Sequence, residues 1–182
     1  EVLIDGLENE NEEFVEIVNQ TDHELSLAGV ELWSNRGGRL VPRVRFFGGC
    51  LPAKGMVAMF AQDASWVWKP APNGAINFDV FGFGFSNEAD FNFELRGPSG
   101  SILDHFFGSR RLIEPGVSIN RKPDGYGDRL EQHDVMSSKS SSPGTCTTGH
   151  LYRFGCFIQD KRMVLAPPDA LRDDDRYRLR GD

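Results

Sequence analysis

Phe14-Val15-Glu16-Ile17-Val18-Asn19, followed after a polar turn by Leu25-Ser26-Leu27-Ala28-Gly29-Val30-Glu31-Leu32, is the stretch whose reading decides the fold. In the first run Phe14, Glu16 and Val18 point one way while Val15, Ile17 and Asn19 point the other, the two-residue period of a strand. Asn19-Gln20-Thr21-Asp22 reverses the chain. Leu25 and Leu27 then share a face, and Gly29 turns the chain into a further strand, Val30-Glu31-Leu32-Trp33. Short alternating runs bounded by polar turns predict an antiparallel β-sandwich.

The neighbouring segments extend this pattern. Val2-Leu3-Ile4 predicts a first strand, and residues 8–13 an acidic turn. Arg36-Gly37-Gly38-Arg39 predicts a hairpin turn, since paired glycines reach positive φ at little steric cost. Leu40-Val41 and Val44-Arg45-Phe46-Phe47 form one strand interrupted at Pro42, which belongs at an edge or a bulge. Met56-Val57-Ala58-Met59-Phe60 is apolar throughout, as suits a central strand covered on both faces. Residues 62–77 predict a long loop carrying Trp66 and Trp68. Phe81, Phe83 and Phe85 alternate with glycines and predict a strand with its rings in the core. Phe91-Asn92-Phe93-Glu94-Leu95 repeats the alternation, and Gly97-Pro98-Ser99-Gly100 returns the chain into Ser101–Phe107. Val117-Ser118-Ile119 is the last clear strand. Residues 122–149 predict irregular chain, 151–165 one more strand or hairpin, and 169–182 a charged exposed helix or frayed tail.

Composition restricts function. With 14 Phe and 20 Gly in 182 residues, the chain favours short strands and tight turns over long helices. No apolar run approaches the ~18 residues of a membrane-spanning helix. The net charge of −7 repels nucleic-acid phosphates unless a local basic patch overrides it. Arg36, Arg39, Arg43 and Arg45 form such a patch, with Arg43 and Arg45 expected on one strand face; Arg110-Arg111 is a second. The ordinary reading of the first is a solvated face on an edge strand. The sequence opens at Glu1 without an initiator Met and reads as a processed form or an excised piece. The three cysteines, Cys50, Cys146 and Cys156, cannot all pair within one chain. A Cys146–Cys156 disulfide would pin the C-terminal extension; buried free thiols are the other reading.

The residues quoted so far carry a resemblance. Glu13-Phe14-Val15-Glu16-Ile17-Val18-Asn19 is similar to the first motif of the lamin tail domain, and Leu25 to Leu32 to its second. Leu51-Pro52-Ala53-Lys54-Gly55 sits where that family carries a Pro-Gly turn. Phe93 to Asp104 resembles its late hairpin. Ser118-Ile119-Asn120-Arg121-Lys122-Pro123-Asp124-Gly125 and Ser142-Pro143-Gly144 resemble its closing segments in bacterial members. The resemblance spans roughly residues 1–149 and implies an all-β, immunoglobulin-like antiparallel sandwich, with 150–182 as a C-terminal extension. It implies an interaction module of an extracellular or cell-surface bacterial protein, and it carries no catalytic residues.

The constellations that bear chemistry are sparse. Trp66 and Trp68, two apart in a proline-bearing loop, present one face if extended, a platform for a sugar or an apolar partner; otherwise they cap the core. With Arg39, Arg43 and Arg45 they are the candidate binding residues. Cys146, His150 and Cys156 have zinc-compatible chemistry but lack the two close pairs of a zinc motif; His133 or Cys50 would have to supply a fourth ligand. Asp124, Asp128 and Asp134 surround a glycine-bearing loop and are a calcium candidate; Asp173-Asp174-Asp175 reads as a solvated charge run. No Ser stands in a Gly-x-Ser-x-Gly elbow, and His23, His105, His133 and His150 are scattered. The terminal Arg180-Gly181-Asp182 is a poorly presented adhesion tripeptide. The expectation is therefore a non-catalytic binding domain without a cofactor. Its partner is a protein in the first reading, and polysaccharide or DNA in the second, as an accessory domain of a secreted hydrolase or nuclease.

Overall fold

The computed structural model describes residues 1–7, 12–36, 38–60, 76–77, 84–124, 127–136, 139–143, 153–154 and 164–165. Fourteen strands are described: β1 (Val2–Leu3), β2 (Phe14–Val18), β3 (Leu25–Ser26), β4 (Glu31–Arg36), β5 (Arg39–Phe46), β6 (Cys50–Leu51), β7 (Gly55–Phe60), β8 (Ile76–Asn77), β9 (Phe91–Arg96), β10 (Ile102–Gly108), β11 (Ile119–Lys122), β12 (Arg129–Gln132), β13 (Arg153–Phe154) and β14 (Val164–Leu165). One short helix, α1 (His133–Met136), and a 3-10 turn at Arg110–Leu112 accompany them.

The strands form a large sheet ordered β12-β11-β1-β2-β7-β13, with β8 also on β7, a second sheet ordered β10-β9-β4-β5-β14, and a small β3-β6 pair. All pairings are antiparallel except those of β8 and β13 with β7. The predicted alternation of β2 decides how the sheets meet. Val15, with Val2, Val57, Met59 and Ile119, faces the second sheet and packs with Leu32, Val44, Phe46, Phe91 and Phe93 in one core. Phe14 points the opposite way, into a second cluster with Leu3, Ala58 and Phe60. Every residue of β7 is buried, so the continuously apolar run is indeed a strand covered on both faces. Each fully buried Phe here contributes about 2–3 kcal/mol of transfer free energy. The molecule is thus an all-β sandwich.

Turns set the register. Gly29 stands at φ +77, where a side chain is strained, and its N–H donates to the Phe46 carbonyl at 2.7 Å. The β4–β5 hairpin pairs Arg36 with Arg39, as the glycine pair predicts. Between them β5 carries a bulge: Leu32 faces Val44 and the next residue, Trp33, faces Pro42, leaving Arg43 extra.

Two segments depart from expectation. Residues 122–149 are not irregular throughout, because β12 pairs with all four residues of β11. Its sequence, Arg-Leu-Glu-Gln, hides the strand by having one apolar residue; Glu131 is buried instead as the ion-pair partner of Lys122 and Arg129. Phe85, expected in a strand, lies outside one and packs edge-on against Phe93, ring centroids 4.8 Å apart. Phe81 and Phe83 lie outside the described residues. After residue 150, β13 joins β7 and β14 joins β5, so the extension adds short strands to both sheets.

Candidate functional site

The hairpin arginines do not act as one patch. Arg39 is exposed and lies across from Arg36. Arg45 points outward, its Nε 3.7 Å from Glu31 and its guanidinium 5.8 Å from the Phe47 ring. Arg43 is only 5% exposed. Its Nη2 donates to the Gly84 carbonyl at 2.6 Å, and its guanidinium sits 5.8 Å from the Phe85 ring. The expectation that Arg43 and Arg45 share a face is therefore corrected. Arg43 is itself the extra residue of the bulge and turns inward, where its cation ties the 84–85 segment to β5.

Trp66 and Trp68 lie outside the described residues, as do Cys146, His150 and Cys156. Cys50 is disulfide-bonded. The chain has two other cysteines, so an intrachain bond from Cys50 takes one of them and is incompatible with a Cys146–Cys156 pair. The aspartates of the calcium candidate do not converge: among the described residues no group of three or more His, Cys, Asp or Glu side chains gathers as a metal site.

What the fold does assemble is a cleft of about 530 Å³ at one end of the sandwich, where the two sheets part. The C-terminal end of β2, β3, the start of β4, the end of β9, the start of β10 and the β11–β12 connection surround it. Its depth is apolar, formed by Ile17, Leu32, Phe93, Leu95 and Phe106. Its rim is polar, with Glu16, Asp104, His105, Arg121 and Asp128.

Local sequence explains each wall. At the β2 end, Asn19 is 1% exposed and acts as a knot. Its Nδ2 donates to the carbonyls of His23 (2.8 Å), Leu51 (3.1 Å) and Pro52 (2.9 Å). Its Oδ1 accepts from the backbone N–H and hydroxyl of Thr21, at 2.9 and 2.7 Å. One side chain thereby ties the 19–23 turn to the end of β6. On the opposite wall the Gly97–Gly100 turn closes the β9–β10 hairpin, with Gly97 N–H donating to Ser101 O at 2.8 Å. A bulge follows at Leu103, between Ile102 and Asp104. Ile102 and Leu103 are left 58% and 56% exposed beside the opening.

Arg121 bridges the two sheets at the rim. It donates to the Gly127 carbonyl at 3.0 Å and, on the other sheet, to Asp104 and to the His105 carbonyl, both at 2.7 Å. Gly127 is required here because a Cβ would stand 1.9 Å from the Lys122 carbonyl oxygen. On β12, the Lys122 hydrogen bond holds the Glu131 carboxyl below its ordinary range. Burial opposes this shift, and the Arg129 charge reinforces it.

A buried polar node anchors β1 beside the cleft, whose lining includes Glu1. The Glu1 carboxylate accepts from Ser118 Oγ (2.6 Å), Ser142 N–H (2.8 Å) and Ser142 Oγ (2.9 Å). The fully buried His133 has Nδ1 3.6 Å from Glu1 and 2.8 Å from Asn120 Nδ2. Although Ser, His and Glu meet, the Ser118 hydroxyl donates to Glu1 rather than to His133, and Ser118 and His133 are both 0% exposed. The node is a structural bond between the first strand, β11, α1 and the 139–143 segment.

Sequence reading missed the cleft residues Ile17, Leu103 and Arg121 as a group. One signal was present: two consecutive apolar residues, Ile102-Leu103, ahead of Asp104 break strict alternation and mark the bulge. No protein-family model matches this chain, and neither does any curated protein.

Proposed function

We propose that the chain is a non-catalytic interaction domain that grips a protein partner at the open end of its sandwich. The observation that carries this reading is the cleft itself, whose apolar depth and exposed Ile102 and Leu103 offer area that a partner's apolar side chain would bury. An immunoglobulin-like, lamin-tail-like architecture is in keeping with the strand sequence Phe14–Asn19 and the hairpin at 93–104. A disulfide at Cys50 supports placement in an oxidising compartment, as in a secreted or cell-surface bacterial protein.

The test is capture from the envelope and secreted fractions on wild-type domain, Leu103→Asp and Trp66→Ala/Trp68→Ala, each checked for native circular dichroism. A protein held by wild type and released by Leu103→Asp supports the cleft. A protein retained by Leu103→Asp and lost only with the tryptophans removes the cleft and moves the contact to the 62–77 loop.

A second reading, polyanion binding by an accessory domain, draws on the Arg36–Arg39 pair across the β4–β5 hairpin. It predicts DNA or acidic-polysaccharide retention that falls steeply with salt and is lost in Arg36→Ala/Arg39→Ala. No retention at low salt removes it.

A further inference from the structure

The second sheet ends at β10, beyond which no strand lies among the described residues. An edge strand presents unpaired N–H and C=O groups to any neighbouring chain. Here they are met in an unusual way. The His105 N–H donates to the carboxylate of the preceding residue, Asp104 Oδ1, at 2.8 Å. The His105 carbonyl accepts from Arg121 Nη2 at 2.7 Å, and the same Nη2 donates to Asp104 Oδ1 at 2.7 Å. A paired strand would offer His105 one acceptor and one donor. The carboxylate and the guanidinium, joined to each other, offer that same pair.

We infer that Arg121 and Asp104 form a plug that takes the place of a neighbouring strand and holds the β10 edge shut against pairing with a second copy of this chain. The plug stands independently of the partner proposed for the cleft. Its need is visible in β10 itself. Ile102, Leu103 and Phe107 are 58%, 56% and 59% exposed, an apolar row along a strand of β-favouring residues. Arg121 is fixed for the task from behind, since its Nη1 is held by Gly127 O and its guanidinium lies 5.5 Å from the Phe106 ring.

Backbone parity identifies how a second copy would dock. His105 directs its N–H and C=O off the sheet, so Phe107, two residues on, directs its own the same way. Asn92, which faces Phe107 in the ladder, sends its N–H toward β4, to Asn35 Oδ1 at 3.0 Å, in agreement with that parity. An antiparallel copy of β10 satisfies both outward residues when its Phe107 faces His105 and its His105 faces Phe107. That arrangement is symmetric about a two-fold axis. It also sets the existing His105–Phe107 stack, ring centroids 6.0 Å apart, beside its copy as a block of four rings.

Sedimentation velocity over a concentration series tests the plug. Wild type is expected to stay monomeric, and Arg121→Ala to rise with concentration toward twice the monomer mass. Adding Phe107→Pro, which removes both an outward N–H and the exposed ring that the paired edge would stack, should return Arg121→Ala to the monomer. A folded Arg121→Ala with wild-type mass at every concentration overturns the inference. So does self-association of Arg121→Ala that survives Phe107→Pro, or a wild-type dimer that Phe107→Pro dissolves. Should Arg121→Ala fail to fold, amide hydrogen exchange on wild type decides. The plug requires His105 N–H to exchange more slowly than Phe107 N–H, and equal rates contradict it.

Discussion

Replacing Arg43 by Ala should destabilise the domain far more than replacing Arg45, although the two arginines are two residues apart on one strand. The Arg43 guanidinium donates a 2.6 Å bond to the Gly84 carbonyl, and the residue is 5% exposed. A hydrogen bond from a charged donor contributes about 1.5–3 kcal/mol. Ala keeps Cβ, so the two further stem methylenes, each worth about 0.8 kcal/mol when buried, add roughly 1.6 kcal/mol. Releasing the side chain recovers about 1–2 kcal/mol of rotamer entropy. Arg43→Ala should therefore cost about 2–3 kcal/mol. The Arg45 side chain is 49% exposed and lies 3.7 Å from Glu31. Exposed pairs of this kind contribute about 0–1 kcal/mol, so Arg45→Ala should cost no more than about 0.5 kcal/mol. Urea unfolding with the disulfide intact separates the two: the midpoint should fall clearly for Arg43→Ala and scarcely for Arg45→Ala, with unchanged slope. Equal losses would refute the bulge, because unbroken alternation places both arginines in the same environment.

Two further perturbations probe the polar parts of the fold. Glu1→Gln keeps the shape of a side chain that accepts three hydrogen bonds from Ser118 and Ser142 but removes its charge; it should cost about 1–3 kcal/mol in the same urea assay, and no loss would mean the node is not closed in solution. The Glu131 carboxyl is held below its ordinary range chiefly by its Lys122 hydrogen bond. A depressed carboxylate contributes stability above its unfolded pKa and loses it as pH falls through the folded value, so this contribution is present at neutral pH and fades only in acid. In Lys122→Ala the Glu131 titration followed by carbon NMR should move up toward the ordinary range; an unmoved titration would assign the shift elsewhere.

The parts of this fold legible in the sequence are those in which one residue's character decides its own position. The alternation of Phe14–Asn19 separates the two apolar clusters correctly, and the unbroken run 56–60 marks the strand buried on both faces. Gly37-Gly38 marks the hairpin, and Pro42 marks the bulge. The failures come where position depends on a distant partner. Arg43 looks like Arg45 until the ladder shows one extra residue between Val44 and Pro42. Glu131 and His133 are buried because Lys122, Arg129, Asn120 and Glu1 reach them, and nothing within residues 122–149 announces that. The cleft draws its walls from both sheets between residues 1 and 128, so local pattern cannot reveal where those sheets part.

Binding at the open end of the sandwich is read out by methyl NMR during titration with a set of small aromatic and aliphatic fragments. Shift changes should concentrate on the Ile17, Leu95 and Leu103 methyls, saturable for at least some fragments and abolished by Leu103→Asp. Unmoved methyls at those positions, or changes confined to the outer faces of the sheets, would contradict it.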